Sequence, residues 1–312
     1  MNNNDTKTLR VDYNNQWPAT FKFPVEQRLL EHLKTLNRAS PLVPAHLRHS
    51  VDNDFHMMLS ALLDALDMLP LRPDRAFESV WTALDAEMFD LVERLRPPNS
   101  PSRFQVLMQH IEQKSAGNTS LASMTAFMDQ VPMQSCEYVA TRILEAMHQP
   151  GDHSDFFLKK VKPAMGSVLL DAFDSKYGSQ WVAAADGHKR ARIQRKAGAF
   201  LKLVLTGAAV NIGSLTNHIL QPEERLRFFV YAVLPNVRNE RFHGLNFSSY
   251  RSSAARMKTY AAGYFLLLIA YFLLLHVFLY RGFNVIDPAE VNSSVLANTQ
   301  LYAEIFGSFS GD

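Results

Sequence analysis

A chain of 312 residues, 47% hydrophobic and 20% charged, has enough apolar material for one large packed domain or two smaller ones. Its single cysteine, Cys136, excludes an intrachain disulfide and fits a reducing compartment. The polar start, MNNNDTKTLR, has no apolar run behind it, so no secretory signal is read and the expected location is cytoplasmic.

The opening residues read as a frayed tail. Pro18, Pro24, Pro41 and Pro44 then leave only 25–37 as an early helix. His46, His49, Asp52, Asp54 and His56 crowd the next stretch, but their spacing fits no zinc pattern and the Pro-rich context reads as loop. Residues 55–69 carry Phe55, Met58, Leu59, Leu62, Leu63, Leu66 and Leu69 at helical spacing, and Pro70 and Pro73 stop the run. Residues 74–95 form the next helix, with Asp74 as its expected cap and an apolar stripe of Phe77, Trp81, Leu84, Met88, Leu91 and Leu95. After Pro97, Pro98 and Pro101 come shorter helices over 103–114, 121–130, 136–148, 155–160 and 168–177, divided at Gly and Pro. Cys136 lies among apolar residues and reads as buried. Further helices are expected over 189–207 and near 212–220, then an apolar helix running up to Pro235. Strand-like alternation is nearly absent, so the fold class is all-α, a bundle of several helices.

Charge is unevenly spread. Residues 1–185 carry a net −4, residues 186–286 a net +10 and the remainder −4. A basic segment in a near-neutral chain fits either a solvated face or a polyanionic partner such as nucleic acid or phospholipid. Lys189, Arg190, Arg192, Arg195 and Lys196 open one helix as a basic run suited to tracking an RNA backbone, and Arg251, Arg256 and Lys258 extend it. Within 260–280 only Gly263 and His276 are not hydrophobic, and Lys258 and Arg281 flank the run. That is long enough for a membrane span. It is the only such segment, and the reading is a central or dimer-interface helix that buries Phe265, Leu268, Phe272 and Leu275.

Between the two apolar helices lies a polar knot, Arg238-Asn239-Glu240-Arg241-Phe242-His243-Gly244. Asn239 and His243 are spaced i,i+4, so the amide can orient the imidazole. Gly244 suits the position just past a helix end, which places His243 where the dipole favours imidazolium. Arg238 is rotated about 140° from His243 around a helix. One helix therefore aims the two poorly at a single atom, whereas two copies across a twofold axis would bring them together. His can move a 2′-OH proton, and Arg can hold the phosphate and its developing charge.

The pattern Arg238-Asn239-x-x-x-His243 resembles the R-polar-x-x-x-H signature of HEPN ribonucleases. The flanks are similar too: an apolar helix ending near Leu234-Pro235, then Phe242-His243-Gly244, a Ser-rich turn at Ser248-Ser249 and a long apolar helix. The resemblance covers about residues 54–95 and 189–280, and the middle has no counterpart. It implies a HEPN-like helical bundle with an added helical region: an N-terminal extension over 1–45, first bundle helices over 46–98, an insertion over 99–187 and the motif-bearing helices over 188–312. It also implies a homodimer, no metal or other cofactor, and cleavage of RNA at a composite dimer site by a bacterial toxin or antiviral effector, with an antitoxin or regulatory partner. Arg238, His243 and Asn239 become the catalytic set, and Arg241 joins the basic run as an RNA contact. An acidic residue on an early helix supports the Arg in many members, and here Asp85 or Glu78 is the candidate. The rival reading is a catalytically inactive RNA-binding or membrane-associated regulatory protein of HEPN-like fold.

Overall fold

The computed structural model describes residues 3–96, 102–115, 119–149, 151–242 and 249–310. These residues are helical almost throughout, with one two-stranded hairpin, so the chain is all-α as its periodicity requires. They divide into two compact units, one of residues 1–85 and 241–309, the other of residues 86–240 and 310–312. Two of the divisions, at 85–86 and 240–241, fall inside helices.

The first unit holds α1 (Asn3–Asn15), α2 (Pro24–Thr35), α3 (Asn53–Asp67), the first half of α4 (Pro73–Leu95), α13 (Met257–Tyr280) and α14 (Pro288–Phe306). The opening residues are thus helical, contrary to the frayed tail expected, and near the end of that helix Tyr13 sets its ring edge-on against Phe21 at 5.3 Å. Alpha-14 follows an Asp287/Glu290 capping box with Pro288 at its first position, a signal left unread in the acidic tail.

Helix α13 is the spine of this unit. It is long and apolar enough to cross a membrane by length and composition, yet 78% of its most apolar window is buried in the fold. Phe265, Leu268, Phe272 and Leu275 are all fully enclosed, as the stripe required. Its polar groups are satisfied internally. Tyr260 donates to Leu71 O at 3.1 Å and Tyr264 to Pro70 O at 2.8 Å. The Ala45 N–H donates to Tyr271 Oη at 2.6 Å. Burial holds His276 neutral, and its Nδ1 lies 2.7 Å from Phe272 O one turn back.

Gly263 interrupts α13 for a packing reason: a Cβ there would sit 1.7 Å from Tyr250 Oη. Gly263→Ala should therefore displace the buried Tyr250 ring. The expected loss is about 1–3 kcal/mol, against the gain a Gly-to-Ala change normally brings in a helix. A thermal melt in which the variant is as stable as the parent would show that the contact is not limiting.

The second unit is built on α7 (Met133–His148). It packs α10 (Gly187–Leu205), α8 (Asp152–Met165) and α9 (Ser167–Ala183) around the buried Val139, Ala140, Ile143 and Leu144. Alpha-10 belongs to this unit through its contact with α7. Helix α5 (Arg103–Lys114) has the span its Ser102/Gln105 capping box dictates. Helix α6 (Ser120–Ala126) runs into a tight turn over Phe127–Gln130.

Two helices run through residues expected to end them. Helix α9 continues through Gly178, where a side chain has no room: a Cβ would stand 2.2 Å from Asp174 Oδ1 and 2.5 Å from His148 Nε2. Those two atoms themselves lie 2.7 Å apart. Alpha-8 carries Pro163 in its last turn instead of ending before it.

The helix expected over 212–220 is a correction: β1 (Val210–Ile212) and β2 (Leu215–His218) form an antiparallel hairpin. Ile212 pairs with Leu215 across a two-residue turn, and Gly213 there has φ +57°, which a hairpin turn of this kind needs.

Candidate nucleic-acid interface

The motif sits at the end of a helix that Pro235 was expected to stop. It does not stop. Helix α11 (Pro222–Phe228) widens into a π turn over Phe229–Val233 and continues as α12 (Leu234–Phe242). A proline ring clashes with the carbonyl four residues before it and offers no N–H. The wider turn accommodates this, with the Leu234 N–H bonded to Phe229 O five residues back.

On α12, Arg238 and Asn239 are half-buried, and Arg238 Nη1 donates to Asn239 Oδ1 at 3.1 Å. His243 and Gly244 lie outside the described residues. Asn239, expected to orient His243, thus has its carbonyl engaged by the neighbouring guanidinium.

Glu240, which the sequence reading passed over, is the buried anchor of this end of the helix. Its carboxylate lies 2.7 Å from Arg142 Nε and accepts from Arg142 Nη2 at 3.1 Å. Asn236, one turn earlier, donates through Nδ2 to Glu240 Oε1 at 2.8 Å and to Tyr138 Oη at 2.7 Å. Tyr138 is half-buried, but its hydroxyl is turned inward. Burial first and the Glu240 charge second push it well above the ordinary tyrosine value. Burial opposes the charge on Arg142, but Glu240, Tyr138 and Glu145 outweigh it, and the guanidinium stays cationic. This network holds α12 on α7, the helix that also carries α10. The local signal for it was the i,i+4 pair Asn236 and Glu240.

Arg241 is placed differently from the expectation. In the first unit its Nε donates to Glu78 Oε1 at 2.6 Å and its Nη2 to Asp74 Oδ2 at 3.0 Å, with only 13% of the side chain exposed. A guanidinium so engaged is a structural cation and not an open RNA contact. Glu78, expected as a support for Arg238, supports Arg241, and also accepts from Arg75 Nη1 at 2.8 Å. Asp74, expected as a cap of α4, is clamped between Arg241 and Arg72. Asp85 is half-buried on α4.

The basic run fares otherwise. Lys189, Arg190, Arg192, Arg195 and Lys196 are all exposed on α10. Lys189 is loosely paired with Asp186 at 3.8 Å, and Arg190 lies over Trp181 at 5.7 Å. Arg192, Arg195 and Lys196, at i, i+3 and i+4, share one face and have no carboxylate partner among the described residues. The proposed extension is spent elsewhere. Arg251 pairs with the buried Glu26 at 3.5 Å and stacks over Tyr13, and Arg256 donates to Ser253 O and Ala255 O.

Among the described residues no group of His, Cys, Asp and Glu is arranged to hold a metal ion. The early His/Asp stretch serves structure: Asp52 caps α3, Asp54 pairs with Arg281, and His56 Nε2 lies 2.7 Å from Ser50 O. Cys136 is fully buried, and burial pushes its thiol up to about 12, so it is no nucleophile at neutral pH. Comparison of the chain with protein-family models, curated proteins and solved structures returns no match.

Proposed function

We propose that the chain is a metal-independent endoribonuclease of HEPN type, active as a homodimer and acting as a bacterial toxin or antiviral effector. The observation that carries this reading is the pairing of Arg238 with Asn239 at the end of α12, four residues before His243. The Glu240 network supports it by mounting that helix end rigidly, and the exposed cations of α10 support it by offering the same unit a track for phosphates.

In the reaction, one His243 takes the proton from a ribose 2′-OH. The oxygen attacks phosphorus, and the bond to the 5′-oxygen breaks. The His243 of the second copy returns a proton to that leaving oxygen. Arg238, held by Asn239, stabilises the charge that develops on the phosphorane oxygens. The products are a 2′,3′-cyclic phosphate and a 5′-hydroxyl.

Total RNA incubated with the purified protein should acquire those ends, and EDTA should leave the rate unchanged. A strict magnesium requirement, or 5′-phosphate ends, would refute this chemistry. The α10 stripe also favours a second reading, RNA binding without cleavage, in which RNA is retained at low salt and stays intact.

A further inference from the structure

In the second unit the start of α5, α8 and the π turn that precedes α12 line an open cavity of about 190 Å³. Lys160 on α8 is its central polar group. Its Nζ lies 3.9 Å from the centre of the Phe156 ring and 5.1 Å from that of Phe104. Those rings are its neighbours, and no carboxylate among the described residues pairs with it. The rest of the lining is neutral or cationic: Ser102 and Gln105 from α5, Lys159 and Pro163 from α8, and Tyr231 from the π turn. Among the described residues no acidic side chain lines the cavity.

An ammonium caged by aromatic rings and left without a counter-ion lacks one half of a charge pair. Burial first, and Arg103 second, push Lys160 down to about 8, the response of a cation in that position. Burial pushes Tyr231 up to about 12, so its hydroxyl keeps its proton and serves as a donor. The Ser102 hydroxyl accepts the Gln105 N–H at 3.3 Å and still has its own proton to give. The walls beyond these donors are the carbon faces of Phe156, Pro163 and the Tyr231 ring.

The π turn is part of this arrangement. It occupies an otherwise α-helical run and carries Tyr231 into the cavity. Such turns recur where a helix serves a binding site.

We propose that this cavity binds a small organic anion, an apolar or aromatic body ending in a carboxylate or a phosphate, with Lys160 as its principal counter-charge. Lys159 and the Ser102 and Tyr231 hydroxyls complete the recognition of the head, and Phe156 and Pro163 hold the body. The proposal is independent of the ribonuclease reading.

The test is calorimetric titration of the full chain at pH 7 with phenyl phosphate, benzoate and inorganic phosphate. Saturable one-to-one binding of phenyl phosphate, benzoate or both is expected, and which of the two is held tighter identifies the head group. Inorganic phosphate, lacking the body, should bind at least about tenfold more weakly than the better organic probe. Lys160→Met should weaken that probe by about tenfold or more.

Binding should also fall from pH 7 to pH 9. Burial lowers Lys160 to about 8, inside that range, and the other charged groups around the cavity are Arg103 and Lys159, with Glu112 and Arg227 beside Tyr231. Lys160→Arg should keep the affinity at pH 7 and lose most of this pH dependence. Absence of saturable binding of both organic probes, equal binding of inorganic phosphate, or full affinity in Lys160→Met would each overturn the assignment.

Discussion

Arg238→Ala and His243→Ala should each reduce RNA cleavage by about 10²–10³-fold or more, the scale for removing one group that stabilises a transition state. Arg238 donates to its neighbour Asn239 and is half-buried, so its loss should disturb folding little compared with its effect on rate. Melting curves recorded beside the activity separate the two effects. A variant with parental stability and no cleavage supports a catalytic role. Undiminished cleavage by purified His243→Ala would remove the basis of the assignment. Asn239→Ala should fall between, because the guanidinium stays present and loses only its holder. Glu240 gives a useful contrast: it is buried beneath Arg142, so Glu240→Ala should act through the mounting of α12 and lower stability and activity together.

The second large effect is expected at Asp74, and it is one of stability. Asp74 has 3% of its side chain exposed. It accepts from Arg72 Nε at 3.0 Å and Nη2 at 2.9 Å, and from Arg241 Nη2 at 3.0 Å. Burial opposes the charge on both guanidiniums, and Asp74 leads the groups that outweigh it, with Glu78 adding to this at Arg241. Asp74→Ala would remove the counter-charge that Arg72 and Arg241 share, leaving Glu78 paired with Arg241 and the charge of Glu26 near Arg72. Breaking a buried pair in this way costs about 3–5 kcal/mol. For a unit of this size that lowers the melting temperature by roughly 10 °C. Asp74→Asn keeps an acceptor and should lose less. A melt within a degree or two of the parent for Asp74→Ala would mean that water replaces the carboxylate and that the cluster contributes little.

The cluster bears on function because Arg241 is one of its members. Sequence proximity to Arg238 suggested that Arg241 faces RNA, yet its side chain is committed to carboxylates 163 and 167 residues away. If Arg241 is a structural cation, Arg241→Met should lower stability, and RNA affinity measured well below the melt should change little. Loss of Arg192, Arg195 and Lys196 together should instead weaken RNA binding and flatten its salt dependence with no cost to the fold.

Much of the fold was legible locally. The spans of α3, α4, α5, α7 and α13 follow from apolar spacing at i, i+3 and i+4 and from caps such as Ser102 with Gln105. The burial of Cys136 and of the Phe265–Leu268–Phe272–Leu275 stripe follows from the same periodicity. Both kinds of signal depend on residues within a turn or two of one another, which a sequence states directly.

What a Gly or Pro does depends on its surroundings, and there the tertiary structure decided. Gly178 lies inside a helix and not at its end, its missing side chain leaving room for His148 and Asp174, and Pro235 is carried through by a π turn. Gly213 makes a hairpin where a helix was expected, because its positive φ suits a two-residue turn between short paired strands. The partners of the cations were likewise invisible. Arg142 meets Glu240 across 98 residues, Arg241 meets Asp74 and Glu78 across more than 160, and Arg192, Arg195 and Lys196 stay on the surface. One Arg resembles another in sequence. Only the packing determines which is desolvated and must find a carboxylate and which remains in water to meet a polyanion.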